Sequence, residues 1–290
     1  MSEPIYYRRA IQTALAEIVA CTGAAVAEGA DLSLVIRGVA ALEEAGAGEL
    51  TYCDTPQDAV HLEASRATAC FVAPALAPRV PQPTLALVME EPYMGFAIAV
   101  RRLFPQALRP DSPFGTAGIN PGASIHPEAR LEQGVIVDPG VVIGPRAEIG
   151  SGSMIGANSV IGADVRIGRD CMIWPQVTIS HALIGNRVYL HPGVRIGQSS
   201  VRTGGAQTSR EIAKAPSIGR VILQDGVELG ANSTLDRGAV GDTVIGEESR
   251  VGSLVQIGEN VTIGRCCTVP AQTKISDGAR LADFSVASSE

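Results

Sequence analysis

The strongest constraint in this sequence is an aliphatic side chain that recurs every sixth residue through most of its second half. Up to the first irregularity the repeat positions are Ile119, Ile125, Leu131, Val137, Ile143, Ile149, Ile155, Ile161, Ile167, Ile173 and Ile179. The repeat shortens by one residue at Ile184, is interrupted by a polar stretch over 198–217, resumes at Ile218 and continues to Leu281. A period of six cannot come from an α-helix, whereas three hexads make one triangular coil of short strands. We therefore predict a parallel β-helix over 119–285, with about eight coils stacked roughly 4.8 Å apart and a loop inserted at 198–217.

A small side chain lies two positions before nearly every repeat residue, as at Ala147, Ser153 and Val165. Residues two apart on a strand share a face, so each hexad is expected to send one large and one small side chain inward. The residue after the repeat position is often glycine, which we attribute to an unusual backbone dihedral at the corner. These glycines are Gly144, Gly150, Gly156, Gly162 and Gly168.

The first 105 residues lack the hexad and alternate between helical and strand-like segments. Helices are predicted over 11–26, 56–65 and 93–104, and strands over 32–39, 50–53, 67–72 and 85–89. This alternation indicates a small α/β domain over 1–105. Pro105, Pro110 and Pro113 then mark a linker over 106–118.

The composition narrows the function classes. A formal net charge of -7, without a basic run, argues against nucleic-acid binding. The sequence shows no signal peptide and no apolar window of transmembrane length. The six cysteines form no CxxC pair, so reduced thiols and a cytoplasmic location are expected. Histidines spaced as His181 and His191 do not suit a zinc site, and we expect neither metal nor cofactor.

Three strings resemble a known family of acyltransferases. Ala231-Asn-Ser-Thr-Leu-Asp-Arg-Gly-Ala-Val-Gly-Asp-Thr-Val-Ile-Gly246 looks like the signature of the UDP-3-O-(3-hydroxyacyl)glucosamine N-acyltransferases, known as LpxD. The segments 48–52 with 67–72, and 91–97, resemble the uridine-binding domain of the same family. The resemblance covers nearly the whole chain in the same order.

The resemblance implies a left-handed parallel β-helix behind a small N-terminal α/β domain, assembled as a homotrimer with active sites between adjacent β-helices. Such enzymes transfer a 3-hydroxyacyl chain from acyl carrier protein to the 2-amino group of a UDP-glucosamine derivative in lipid A biosynthesis. A histidine acts as the general base on the amine, and a backbone N–H stabilises the oxyanion.

This sequence departs from the family at functional positions. The family's catalytic histidine lies in Gln-Ile-Ala-His-Asn, and the matching string here is Gln256-Ile-Gly-Glu-Asn260, so Glu259 holds that position. A solvated corner carboxylate is expected there rather than a buried base. The family's Gly-rich string Ser-Asp-Gly-Phe-Gly is replaced in this sequence by Gln198-Ser-Ser-Val-Arg202. The family's Asn-Pro-Lys-Tyr string, which helps to hold the uridine, is replaced by Thr55-Pro-Gln-Asp58. The family carries further coils and C-terminal helices that engage acyl carrier protein, and this sequence, which stops at Glu290, is expected to have neither.

The candidate site residues follow from these strings and from the histidines. Glu259, His181 and His191 are the candidates for catalysis or for lining the cleft. The candidates for substrate binding are Tyr52, Asp236, Arg237 and Lys214.

Two functions remain open at this point. One is an N-acyltransferase of the LpxD type, with acetyl-CoA as a weaker alternative donor. The other is a catalytically inactive paralogue that serves as a structural or assembly subunit, because the changes fall at functional positions while the hexads stay regular.

Overall fold

A computed structural model describes residues 11–108, 110–200 and 216–287. The chain divides into two compact units, Met1–Asp111 and Ser112–Glu290. Among the described residues, no helix is long and apolar enough to cross a membrane.

The first unit is built on a four-stranded parallel sheet. Its strands, in spatial order, are β3 (Gly38–Val39), β4 (Glu49–Cys53), β5 (Ala69–Val72) and β6 (Leu85–Val88), and a separate antiparallel pair joins β1 (Thr13–Ala14) to β2 (Val35–Ile36). The helices are α1 (Leu15–Thr22), α2 (Ala59–Ala64), α3 (Pro92–Leu103) and α4 (Pro105–Leu108), with 3-10 turns at Pro56–Asp58 and Ala77–Arg79. Every residue of β5 is buried, as expected for a parallel strand covered on both faces.

The first predicted helix is shorter than expected. Instead of running over 11–26, α1 spans Leu15–Thr22 and stops at Gly23, which adopts a left-handed conformation with φ +70°. The Gly23 N–H donates to the Val19 carbonyl at 2.9 Å and caps the C-terminus of the helix. Glycine suits this position because the left-handed conformation is unfavourable for residues that have a Cβ atom. The predicted strand over 32–39 is likewise split into β2 and β3.

The second unit is a parallel β-helix whose three faces are parallel sheets of eight, eight and seven strands. The first face holds β7 (Ser124–Ile125), β10 (Val142–Ile143), β13 (Val160–Ile161), β16 (Thr178–Ile179), β19 (Arg195–Gln198), β22 (Thr234–Asp236), β25 (Gln256–Ile257) and β28 (Lys274–Ile275). The second face holds β8 (Arg130–Leu131), β11 (Glu148–Ile149), β14 (Arg166–Ile167), β17 (Ala182–Ile184), β20 (Val221–Leu223), β23 (Thr243–Ile245), β26 (Thr262–Ile263) and β29 (Arg280–Leu281). The third face holds β9 (Ile136–Val137), β12 (Met154–Ile155), β15 (Met172–Ile173), β18 (Tyr189–Leu190), β21 (Glu228–Leu229), β24 (Arg250–Val251) and β27 (Thr268–Val269).

The hexad prediction is confirmed through the body of the β-helix. Apart from Ile218, the repeat residues from Val137 to Ile275 are between 0 and 7% exposed and form one continuous core. Register follows the repeat, because Ile143 pairs with Ile161 and Ile161 with Ile179, each three hexads later. Burial of each such side chain stabilises the fold by about 1.5–3 kcal/mol.

Two repeat residues were wrongly predicted to point inward. Ile119 is 54% exposed, because it precedes the first coil and only an isolated bridge to Val137 holds it. Ile218 is 71% exposed, because the strand begins only at Val221 and Ile218 instead donates to the Ala239 carbonyl at 2.8 Å.

The reason given for the corner glycines was also wrong. Gly150 and Gly168 do not have positive φ values; those occur two residues later, as at Gly152 (φ +68°) and Asp170 (φ +59°). A Cβ on Gly168 would lie 2.5 Å from the Gly185 carbonyl oxygen in the next coil. Glycine is therefore required here because the stacked coils approach closely, not because the dihedral is unusual.

Candidate active site

The corner that follows the strands of the first face, called here the first corner, collects most of the predicted site residues. His181 follows β16, Gln198 ends β19, Asp236 ends β22 with Arg237 next, and Glu259 follows β25. These four strands are consecutive neighbours in the sheet, about 4.8 Å apart. The stacked strands thus place His181, Gln198, Asp236 and Glu259 on four successive coils of the first corner, although Asp236 follows its repeat residue by one position and the other three by two.

A β-bulge in β19 changes which side chains face each other at the first corner. The register between β19 and β22 shifts after Ile196, so that Gln198 rather than Gly197 stands opposite Asp236. Gly197 has φ +87°, and a Cβ there would collide with the Ser180 carbonyl. Bulges of this kind commonly direct side chains beside functional sites.

Asp236 and Arg237 both reach back over the end of β19. The Gln198 Nε2 donates to Asp236 Oδ1 at 3.0 Å, and Arg237 Nη2 donates to Ser199 Oγ at 3.0 Å. The Arg237 backbone N–H donates to the Gln198 carbonyl at 2.9 Å, which fixes the backbone of this turn.

Glu259 is buried, at 4% exposure, so the expected solvated carboxylate at this corner was wrong. The corner has coils on both sides: the Glu259 N–H donates to Asp277 Oδ1 at 3.1 Å, and the Asn260 N–H donates to Thr243 Oγ1 at 3.0 Å. Glu259 therefore lies between the coils that carry Thr243 and Asp277 rather than in solvent.

The electrostatics of the first corner shift two pKa values. Burial raises the pKa of Asp236, the negative charges of Asp277 and Glu259 raise it further, and the Gln198 hydrogen bond partly offsets them. Partial burial lowers the pKa of His181, and the positive charge of Arg237 adds to that effect. The lowered pKa favours the neutral imidazole of His181, the form that can accept a proton.

His181 and Glu259 do not meet within one chain. Three strand spacings separate them along the stack, which amounts to about 14 Å. His181 can contact a substrate at this corner but cannot share one proton with Glu259 in the same protomer.

His191 lies on a different corner, the one that follows the third face. Its Nε2 is 3.0 Å from Glu228 Oε1, a hydrogen bond that lowers the pKa of Glu228, and its ring packs 4.8 Å from Tyr189. The Trp174 ring continues this group at 6.1 Å from Tyr189. The structure therefore separates His191 from Glu259 within the chain.

The first unit places Tyr52 in an aromatic cluster at the end of β4. Its ring packs 5.6 Å from Tyr93 and 4.8 Å from Phe96, and Tyr93 is itself exposed. The neighbouring Thr55 caps the following turn, with its hydroxyl donating to Asp58 Oδ2 at 2.7 Å.

Three contacts of the site were missed from the sequence: Ser199, Asp277 and Glu228. The repeat itself carried a signal for Asp277, because Asp277 follows Ile275 by two positions, as Glu259 follows Ile257. Lys214 lies outside the described residues, as does most of the predicted 198–217 insertion. No group of three or more potential metal ligands occurs among the residues that the structure describes.

Comparisons with known proteins decide the family. Residues 33–102 match the model of UDP-3-O-(3-hydroxymyristoyl) glucosamine N-acyltransferase, LpxD. The UDP-3-O-acylglucosamine N-acyltransferase of Methylobacterium nodulans is 56% identical over 286 residues, covering 99% of this chain and 81% of that protein. The chain belongs to the LpxD family.

A second relative and the match to the repeat model agree with this assignment. A UDP-3-O-acylglucosamine N-acyltransferase of Methylobacterium sp. (strain 4-46) is 52% identical over the same shares of both chains. Residues 128–163, 146–181 and 242–285 match the bacterial transferase hexapeptide repeat, so the β-helix of this LpxD-family chain is of the left-handed type. The solved UDP-N-acetylglucosamine acyltransferase of Campylobacter jejuni is 20% identical, with a TM-score of 0.41 over 56% of this chain and 68% of that one.

Proposed function

We propose that this LpxD-family chain is an N-acyltransferase of lipid A biosynthesis. It moves a 3-hydroxyacyl chain from acyl carrier protein to the 2-amino group of a UDP-glucosamine derivative. The observation that carries the proposal is the 56% identity across 99% of the chain. We further propose that it acts in the cytoplasm as a homotrimer, with each first corner in a cleft between adjacent β-helices.

The reaction needs a base at the amine and a group that binds the nucleotide. The amine nitrogen attacks the thioester carbonyl, the C–N bond forms, the C–S bond breaks, and one proton passes from nitrogen to the departing thiolate. We assign Glu259 as the base that receives this proton and returns it to the thiol, because it holds the position of the family histidine and is buried. His181 and His191 are assigned to lining the cleft from their separate corners.

Tyr52 is the candidate contact for the uracil base. It lies beside the exposed Tyr93, and flat aromatic faces suit a planar heterocycle. Thr55 and Asp58 bond to each other at the place of the family's uridine-holding string, so Tyr52 and Tyr93 carry this role in our proposal.

The relatives give no support to the alternative of an inactive paralogue, because each bears the name of an acyltransferase. The change from histidine to Glu259 is accommodated in our proposal by a buried carboxyl group rather than by loss of the reaction.

A product assay tests the proposal. The purified chain is mixed with 3-hydroxyacyl carrier protein and UDP-3-O-acylglucosamine, and the product is identified by mass spectrometry. We expect the amide product, and none when UDP-N-acetylglucosamine, whose nitrogen is already acylated, replaces the acceptor. Absence of amide from a folded protein with either 3-hydroxyacyl carrier protein or acetyl-CoA as donor would refute the proposal in favour of the inactive paralogue. Amide formed only from acetyl-CoA would establish the alternative donor.

A further inference from the structure

Asp236 and Arg237 present opposite charges side by side at the first corner. Asp236 contacts Gln198, and Arg237 contacts Ser199, each at 3.0 Å. Because Gln198 and Ser199 are consecutive residues, the carboxyl and guanidinium groups lie over the same strand end. Asp236 is buried and Arg237 is half-buried, so neither charged group is fully solvated.

The two charges nevertheless do not pair. Within the described ranges, no carboxylate oxygen lies within 4.0 Å of the Arg237 nitrogens. Elsewhere on the same β-helix, arginines do pair: Arg146 with Asp164 at 2.7 Å, and Arg265 with Asp283 at 2.8 Å. The Asp236 pKa is raised, whereas an ion pair with Arg237 would lower it.

Leaving these groups apart costs stability. Arg237 Nε is out of contact with water and has no acceptor among the described residues, and a buried donor without an acceptor is unfavourable. The backbone of the turn is fixed by the Arg237 N–H bond to the Gln198 carbonyl and by the bulge at Gly197, so the separation is built in. A buried donor that a fixed backbone keeps without an acceptor needs an explanation, and a ligand that supplies the acceptor is one.

A ligand with phosphate alone would fit this corner poorly. It would bring negative charge next to Asp236, whose carboxyl group is already repelled by the carboxylates of Glu259 and Asp277. A ligand that carries a positive group beside its phosphate would satisfy both Asp236 and Arg237. Guanidinium groups bind phosphate oxygens well, and carboxylates accept hydrogen bonds from ammonium.

We propose that Asp236 and Arg237 together recognise an amino sugar phosphate, with Arg237 on the anomeric phosphate and Asp236 on the ammonium at the neighbouring ring carbon. The inference rests on the proposed function, which supplies a UDP-glucosamine derivative as acceptor. It adds that the free amine is selected when the nucleotide binds, before any acyl chain is transferred.

Isothermal titration with two probes tests this selection. UDP-glucosamine carries both charges, and UDP-glucose carries only the phosphates. The full-length protein should bind UDP-glucosamine on the order of tenfold more tightly, at a pH at which the amine is protonated. Asp236→Asn should remove this preference and leave the affinity for UDP-glucose nearly unchanged. Arg237→Gln should weaken both ligands by similar factors, and Arg237→Lys should recover part of the loss.

Arg265→Gln and Asp283→Asn are matched controls, because they break an exposed ion pair on the same β-helix. Both should bind as the wild type does, and thermal unfolding checks that every variant is folded. Equal affinities for the two probes in the wild type, or a preference that survives Asp236→Asn, would overturn the inference. If amide is formed without any such preference, the inference fails and the proposed function stands; if neither probe binds and no amide forms, both fail.

Discussion

Replacing Ser233 by alanine should destabilise the β-helix at the coil that carries Asp236 and Arg237. Ser233 is fully buried at an inward small position, and its hydroxyl joins two coils. It donates to the Gly252 carbonyl at 2.9 Å and accepts from the Val255 N–H at 3.1 Å. The strand after Val255 leads directly to Glu259, so this hydroxyl links the coils of the candidate site.

The magnitude follows from the two bonds that alanine would remove. Each leaves a buried backbone group without a partner, at about 1–3 kcal/mol apiece, so the loss should be about 2–6 kcal/mol. For a unit of this size, that corresponds to a fall of roughly 4–24 °C in the unfolding midpoint. The same two-bond arrangement recurs at Ser153, Ser159 and Ser249.

The assay is urea and thermal unfolding followed by tryptophan fluorescence. The chain has a single tryptophan, Trp174, which lies in the β-helix and therefore reports on that unit alone. Ser253→Ala, at an exposed serine of the adjacent coil, is the control and should stay within about 0.5 kcal/mol of the wild type. If Ser233→Ala has the same unfolding midpoints as Ser253→Ala and the wild type, the bridging role assigned to the buried serines is wrong.

Three further predictions concern the nucleotide site, the acidic corner and the stacking of coils. Tyr52→Ala should weaken UDP binding about 2- to 10-fold through loss of an aromatic face, and Tyr52→Phe should not; equal calorimetric affinities would contradict the assignment. The raised pKa of Asp236 means that its stabilising contribution is complete below the ordinary carboxyl pKa and is lost as pH rises through the folded-state pKa. Asp236→Asn should therefore be more stable than the wild type near neutral pH, with the difference shrinking as pH falls in unfolding curves. Gly168→Ala should lower the unfolding midpoint, because the added Cβ would meet the Gly185 carbonyl at 2.5 Å; an unchanged midpoint would show that the coils can move apart.

Much of the fold could be predicted because a six-residue period has one structural solution. Inward residues in the body of the β-helix, such as Ile155 and Leu229, are fully buried, and the strand register follows directly. The period carries no information on where stacking begins, so Ile119 was misplaced, and none on where a strand resumes after an insertion, so Ile218 was misplaced too. Glycine at positions such as Gly168 is ambiguous in sequence, since close approach and unusual dihedrals select the same residue.

The site was harder to predict because its properties arise between coils. Corner residues such as Glu259 look exposed in a single hexad, and burial comes only from the coils on either side. The bulge at Gly197 shifts the register by one residue, which places Gln198 beside Asp236, and the sequence spacing does not specify this shift. His191 was grouped with Glu259 by residue type alone, and the triangular cross-section separates them onto different corners.

The most direct measurement compares single-turnover acyl transfer by Glu259→Gln and Glu247→Gln. Both glutamates follow the same Ile-Gly dipeptide, but Glu247 is exposed on another corner, whereas Glu259 is buried at the first corner. If Glu259 is the base, Glu259→Gln should lower the rate of amide formation about 10²- to 10⁴-fold, and Glu247→Gln should leave it unchanged. Equal rates for Glu259→Gln, Glu247→Gln and the wild type would contradict a carboxylate base at the position of the family histidine.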